Sequence, residues 1–268
     1  MYHSISDRAQ PRFRIFSLSP ASFTQQMAYL AQHHYTPLTV SQYVSARTTG
    51  ASLPELAVVL TFDDGFADFY TEALPVLRRF GWTATLYIST AYVSGTSRFL
   101  QRERETSRLM LTWEQLNEIS ADGIEIGAHG HRHLQLDVIP SANARTEITR
   151  SKAVLEAKLN RTIESFAYPY GFYRPAVQQL VREAGFRSAC AVRYAMSSAS
   201  DDPFALSRLI VPGDISLNQF ADLLSGRGPQ LEPTYERLRA FVWRCARYSW
   251  FSLKDRLNGR ENHDPGYA

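Results

Sequence analysis

Apolar and polar positions divide the chain into short β-like runs and amphipathic helical stretches, and from residue 57 onward the two alternate. Ala57–Phe62 is a compact apolar run rich in β-branched residues, followed by Asp-Asp-Gly-Phe, a turn signal. In Ala67–Phe80 the positions Phe69, Ala73, Val76 and Leu77 fall on one helical side, with Gly81 just past the end. Thr83–Ser89 reads as the next strand, and the polar, Arg-rich residues 94–110 read as a loop or insertion. Thr112 has the character of an N-cap, with Gln115 three residues later, for a helix reaching about Ser120. A strand at Ile124–Ala128, a long amphipathic helix at Ser141–Asn160, a strand at Ser165–Tyr168 and a helix at Pro175–Ala184 closed by Gly185 follow. Further strands are expected at Arg187–Val192 and Leu206–Val211, and a helix near Leu217–Leu224. Ahead of this series lie a helix near Phe23–His34 and a strand around Tyr35–Thr39.

Alternating βα units imply a parallel sheet, and their number suits a closed or nearly closed α/β barrel. Three polar motifs, Asp63-Asp64-Gly65, His129 to His133 and Pro169-Tyr170-Gly171, each follow a predicted strand directly. In a parallel barrel those strand ends share one rim, so motifs distant in sequence can meet in one site.

Composition narrows the class. The 268 residues are 44% hydrophobic and 21% charged, the balance of a globular chain long enough to bury a large core. The formal net charge is only +3, which argues against a nucleic-acid binder. The basic character is concentrated in Glu236–Arg260, where seven basic residues stand against two acidic ones. Cys190 and Cys245 are far apart and outside any paired-ligand spacing, so they read as small core residues rather than a disulfide framework. The first twenty residues hold no apolar run of signal-peptide length, and no stretch reaches the roughly 20 apolar residues that span a bilayer. A cytoplasmic location, or one at the inner membrane face, is therefore expected.

The chemistry is carried by the three motifs. Asp63 and Asp64 sit at a strand-to-turn transition where both carboxylates can be aimed into a rim site, and Gly65 permits the tight turn. Alone, this could be a solvated turn. His129 and His133 are four residues apart, a spacing that places two imidazoles on one side of a helical turn. Two imidazoles and one carboxylate suit a divalent transition metal with open positions for water and substrate. His131 is then a supporting or exposed residue, and three surface histidines on a loop remain the plain alternative. Pro169 and Gly171 flank a rigid turn that can present the Tyr170 N–H to an oxyanion.

Together, Thr61–Gly65 (TFDDG), His129–His133 (H-x3-H) and Phe166–Gly171 (FAYPYG) resemble the polysaccharide deacetylase family, also called carbohydrate esterase family four or the NodB-homology domain. The resemblance runs over roughly Met1 to Pro212. It implies a distorted (β/α)7 barrel, placed at 1–225, and the residues beyond it, 226–268, read as a basic, aromatic helical tail. It assigns Asp63 as catalytic base and Asp64, His129 and His133 as metal ligands, the metal most plausibly Zn²⁺. It also places the Tyr170 N–H against the tetrahedral intermediate. Two features depart from the family. The arginine that usually opens the third motif is replaced by Ala167, and Arg208 on a later strand is expected to serve instead. The usual late Leu-x-x-His is missing, but Met1-Tyr2-His3-Ser4-Ile5 resembles the YHxI opening of a subgroup that includes enzymes acting on poly-N-acetylglucosamine. In that subgroup the N-terminal histidine is the general acid, which points to His3.

The expected activity is removal of N-acetyl groups from amino sugars of a polysaccharide or its lipid-linked precursor. An O-acetyl glycan esterase would use the same residues, and a carbohydrate-binding pseudoenzyme is the non-catalytic alternative. Phe66, Tyr168, Tyr170 and Tyr173 are either sugar-stacking or packing residues. In the tail, Leu238, Phe241, Val242, Cys245, Ser249 and Phe251 roughly follow helical spacing beside arginines and tryptophans. This suits peripheral membrane contact or, as the plainer reading, a helix packed on the barrel.

Overall fold

The computed structural model describes residues 1–192, 195–198 and 200–227. All but the first two residues of the tail expected at 226–268, Cys245 included, lie outside the described residues.

The strands are β1 (Ser4–Ile5), β2 (Ser17–Leu18), β3 (Thr36–Leu38), β4 (Ala57–Val59), β5 (Thr61–Phe62), β6 (Thr85–Ile88), β7 (Glu125–Ala128), β8 (Ser165–Ala167) and β9 (Ser188–Cys190). The helices are α1 (Pro20–Gln32), α2 (Val40–Thr49), α3 (Leu74–Phe80), α4 (Trp113–Ala121), α5 (Ser141–Leu159), α6 (Pro175–Glu183) and α7 (Leu217–Leu224). Strands β5 to β9 form one sheet in sequence order, every pair parallel. Helices connect successive strands of this sheet, as parallel pairing requires. The result is an α/β fold built on a parallel-sheet half-barrel, and β6 is buried along its whole length.

Both edges of the sheet are extended by single-residue pairings. On the β5 side, Tyr2 N donates to Thr61 O at 2.8 Å and Asp63 N to Tyr2 O at 3.0 Å. On the β9 side, Ala191 N donates to Leu206 O at 2.8 Å, and Val211 N reaches Met1 O at 3.0 Å. Two pairs, β1–β2 and β3–β4, stand apart from the main sheet.

Three local differences from the sequence pattern have physical causes. The run Ala57–Phe62 breaks at Leu60, because β4 pairs with β3 while β5 pairs with β6. The stretch expected as a helix from Ala67 opens with a π-helical turn at Phe69–Ala73 before α3. Pro75, in the first turn of α3, has no N–H for the preceding turn and so breaks the α-helical ladder there. Residues 206–211 make one bridge, Cys190 with Leu206, rather than a full strand. Helix α2 was not anticipated, although its capping box, Thr39 with Gln42, is complete and Gly50 closes it at φ +73°. The expected cap at Thr112 is formed, and Ser216 caps α7 with a capping box of its own.

The core under the site is aromatic. Phe62 stacks on Tyr2 at 5.2 Å and meets Phe69 edge-on at 4.8 Å. Cys190 is buried against Tyr87 Oη at 3.3 Å, as a small core residue. No helix among the described residues is long and apolar enough to cross a membrane.

Candidate metal and catalytic site

The strand ends of β5, β7 and β8 deliver the three motifs to one buried place. The turn after β5 is set by two consecutive positive φ values, Asp64 at +76° and Gly65 at +86°. A Cβ at Gly65 would sit 2.9 Å from the end of the Ile88 side chain and push it aside, but glycine is needed here chiefly for the left-handed conformation. This turn places Asp63 and Asp64 in the same cavity rather than on opposite faces of a strand.

The histidines converge differently from the expectation. Residues 129–133 form no helical turn. His129 leaves the end of β7, and an irregular loop with Gly130 at φ +73° and His133 at φ +54° folds the second imidazole back onto the first. The two rings lie 4.9 Å apart between centroids. Glu147 on α5 anchors the loop: buried to 1%, it accepts from Arg132 N at 2.6 Å and from Arg132 Nε at 2.7 Å. His131 turns outward from the pair and bonds Thr90 Oγ1 through Nδ1 at 2.8 Å.

Asp64, His129 and His133 are buried, and one ligand atom from each lies within 4.8 Å of the others. His129 Nδ1 is 2.8 Å from Ala167 O. A carbonyl only accepts, so the proton is on Nδ1 and Nε2 carries the free lone pair. Asp64 Oδ1 stands 3.5 Å from that Nε2 and 3.2 Å from His133 Nε2, yet it is buried with no hydrogen-bond partner. Lone pairs in near contact that do not bond one another are the arrangement a cation would satisfy. The donor set therefore fits a divalent metal.

Burial pushes the Asp64 carboxyl up, but the His133 and His129 rings more than offset it and hold it well below the usual carboxylate range. Burial also disfavours a charged His129, yet Asp63 and Asp64 outweigh it and raise that ring above an ordinary histidine.

Arg208 is where the sequence placed it. Its guanidinium grips Asp63 with two hydrogen bonds, Nη1 to Oδ1 at 2.7 Å and Nη2 to Oδ2 at 2.8 Å. Further bonds run to Thr61 Oγ1 and Ala191 O, both 3.3 Å. Burial alone would raise the Asp63 carboxyl, and the charge of Arg208 is the largest influence that instead keeps it below the ordinary value. Ala167, in the position of the missing arginine, contributes a carbonyl to His129.

A cavity of about 300 Å³ opens over these groups, and His3 and Tyr170 both line it. His3 packs edge-on against Phe16 at 4.8 Å. Burial lowers its ring pKa below the ordinary histidine value, partly countered by Asp64 and Asp63. Tyr170 is held at φ +61° in the Pro169–Gly171 turn, with its ring 4.7 Å from His133 and half exposed. A Cβ on Gly171 would come within 2.7 Å of Val192 N. Asp64, His133 and Tyr170 are thus three of the seven non-glycine residues at positive φ among the described residues, all at one site. Phe66 and Tyr168 are packing residues, both fully buried, and Tyr173 stacks on Tyr168 at 4.8 Å. Phe13, Phe16, Leu100 and Glu103, which no motif or periodicity marked, also line the cavity. They come from segments that lack periodicity, and Phe99 even meets the His133 ring at 4.7 Å.

A parallel half-barrel with an Asp-His-His cluster and a clamped second aspartate at the strand ends defines a class of metal-site hydrolases. Residues 50–189 match the polysaccharide deacetylase family, and the chain belongs to it. It is 24% identical over 251 residues to the poly-beta-1,6-N-acetyl-D-glucosamine N-deacetylase of Escherichia coli K12, covering 82% of this chain and 37% of that longer protein. The Staphylococcus aureus protein of the same name is 22% identical over 208 residues, 74% of this chain and 69% of that one. In fold, the chain is similar to the Streptococcus pyogenes deacetylase PplD in complex with acetate. That match has a TM-score of 0.71 and 24% identity, covering 87% of this chain and 96% of that one. It is also similar to IcaB from Ammonifex degensii, with a TM-score of 0.69 and 22% identity over 84% and 93% of the two chains.

Proposed function

We propose that this protein hydrolyses N-acetyl groups on the amino sugars of a polysaccharide, with a divalent cation held by Asp64, His129 and His133 and with Asp63 as the base. The observation that carries the proposal is the pairing of an unsatisfied Asp-His-His cluster with a separate carboxylate gripped in two places by Arg208. The relatives named for poly-β-1,6-N-acetylglucosamine favour that class of glycan as substrate. The two-nitrogen, one-oxygen donor set favours zinc. The bridges made by Tyr2 and Leu206, with the hydrogen bond from Val211 N to Met1 O, favour a barrel closed by seven strand-like segments, the distorted (β/α)7 form.

When bound, the cation lowers the pKa of a water molecule and polarises the acetyl carbonyl. Asp63 would take the proton of the attacking water. Arg208 keeps Asp63 ionised and in one orientation, while each carboxylate oxygen retains a second lone pair. Oδ2 lies 3.9 Å from His129 Nε2, so Asp63 sits beside the metal ligands without being one. The Tyr170 N–H donates to the developing oxyanion from its strained turn. His3, across the cavity, gives a proton to the sugar nitrogen as the C–N bond breaks, because an amine leaves poorly without one. Against the pseudoenzyme alternative, which the missing third-motif arginine favours, stands Arg208, whose guanidinium meets Asp63 from the segment beyond β9.

The test is acetate release from poly-β-1,6-N-acetylglucosamine fragments and chitooligosaccharides by chelated and Zn²⁺-reloaded protein. Release that requires metal and disappears in Asp63→Asn is the expected result. Bound metal with no acetate from either glycan would sink the assignment.

A further inference from the structure

Besides the Tyr2 backbone pairing with β5, the His3 segment is fastened beside the Asp63–Asp64 turn by one carboxylate, and a loop that the sequence showed only as polar and Arg-rich locks that fastening. Asp68 lies four residues beyond Asp64. Its Oδ1 accepts from Ile5 N at 3.0 Å, and its Oδ2 accepts from Ser4 Oγ, so it takes the two donors that follow His3 directly. Arg108, from the 94–110 loop, donates through Nη2 to the same Asp68 Oδ2 at 3.1 Å and also reaches Ser4 Oγ. Its Nη1 donates to Arg8 O at 2.6 Å. The guanidinium lies 5.2 Å from the Phe13 ring and 5.6 Å from the Phe66 ring. Arg108 and Asp68 are 11% and 16% exposed, so the pair is shielded from solvent competition.

On its N-terminal side His3 is tied to β5 through the two backbone hydrogen bonds of Tyr2. On its C-terminal side the strand that follows, β1, is two residues long and pairs only with β2 among the described strands, so there the Asp68 and Arg108 contacts help set the height of His3 over the site. We propose that Asp68 and Arg108 are positioning residues that hold His3 where it can protonate the leaving amine, and so make the site competent for amides rather than only for activated esters. The inference rests on the reading of His3 as proton donor. In the step concerned, the imidazolium proton passes to the sugar nitrogen while the C–N bond breaks. The free amine leaves, and acetate keeps the oxygen of the attacking water. An aryl acetate expels a stable aryl oxide and needs no such proton.

The experiment compares the Zn²⁺-loaded full chain with Asp68→Asn, Arg108→Lys and His3→Ala, alone and combined, on an N-acetylglucosamine oligomer and on 4-nitrophenyl acetate. His3→Ala is expected to lower amide kcat about 100-fold. Asp68→Asn should lower it about tenfold through misplacement, with KM and bound zinc unchanged and the aryl ester rate held within about twofold. In the His3→Ala background it should cost nothing more. Arg108→Lys should follow the same pattern to a smaller extent. Equal losses on amide and ester, or a full additional loss in the His3→Ala background, would overturn the positioning role while leaving His3 as the donor. Unchanged amide turnover in His3→Ala would instead remove the donor, and the positioning role with it.

Discussion

Replacing Arg208 with alanine removes both donors from Asp63, a carboxylate only 4% exposed at its side chain. Breaking a buried pair from one side typically costs about 3–5 kcal/mol, since the remaining charge stays desolvated. For a chain of this size that corresponds to a melting temperature lower by roughly 10 °C. Asp63 escapes part of that cost by taking up a proton, because burial pushes its carboxyl up and Arg208 is the largest influence opposing it. A protonated Asp63 cannot accept a proton from water. A positioned base contributes about 10²–10⁴-fold, so kcat/KM near neutrality should fall by at least about 100-fold. Some activity should return as pH rises, because the ionised fraction grows up to about tenfold per pH unit below the new pKa. The assay is acetate release across a pH series, with thermal denaturation of the chelated protein beside it. Adding Asp63→Asn to Arg208→Ala removes the stranded charge, so the double variant should melt closer to the wild type than the two single losses summed, and stay inactive. Wild-type turnover in Arg208→Ala, or strictly additive stability losses, would refute the reasoning.

Asp64→Asn should reduce bound zinc from about one per chain to a small fraction, measured by elemental analysis after dialysis, because two imidazoles alone make an incomplete site. Glu147→Gln should weaken zinc affinity by about 10- to 100-fold without touching a ligand, since it loosens the loop that carries His133. A competition titration with a chelator dye checks this, and unchanged affinity would rule out the anchoring role. In the chelated protein, Asp63 and Asp64 both lie below the ordinary carboxylate value despite burial, Asp63 through Arg208 and Asp64 through His133 and His129. They therefore stabilise the fold above the unfolded carboxylate pKa of about 4, and that stability is lost as pH falls further. Melting curves should show a shallower acid decline in Asp64→Asn, and an unchanged decline would contradict it. Gly171→Ala should destabilise more than Gly65→Ala, because its Cβ meets the Val192 backbone nitrogen at 2.7 Å whereas the Gly65 Cβ meets only a movable Ile88 methyl. Equal melting temperatures would refute the ranking.

The periodic elements were legible because local pattern decides them. Helix α7 and the Thr112 cap fall where side-chain spacing alone puts them. The three motifs were legible for a different reason. Each is a short run of chemically unusual residues at a strand end, and parallel βα topology brings such ends to a common rim. Arg208 was legible as a later charge able to replace the missing third-motif arginine, and in the structure its guanidinium holds Asp63 in two places from a segment that forms no full strand. Helix α2 escaped because Val, Ser and Thr dominate it, so its cap rather than its periodicity was the available signal.

What the sequence determined by itself was the chemistry: which carboxylates, imidazoles and guanidinium are present, and in what order along the chain they reach the barrel rim. Tertiary structure decided their geometry. The histidine pair converges through left-handed backbone at Gly130 and His133 and through the Glu147 anchor, not through helical spacing. The cavity wall and the Asp68–Arg108 fastening of His3 arise where aperiodic segments meet across 40 or more residues. Spacing rules reach only neighbours on one element, and contacts between irregular segments depend on shape and burial that no local pattern encodes.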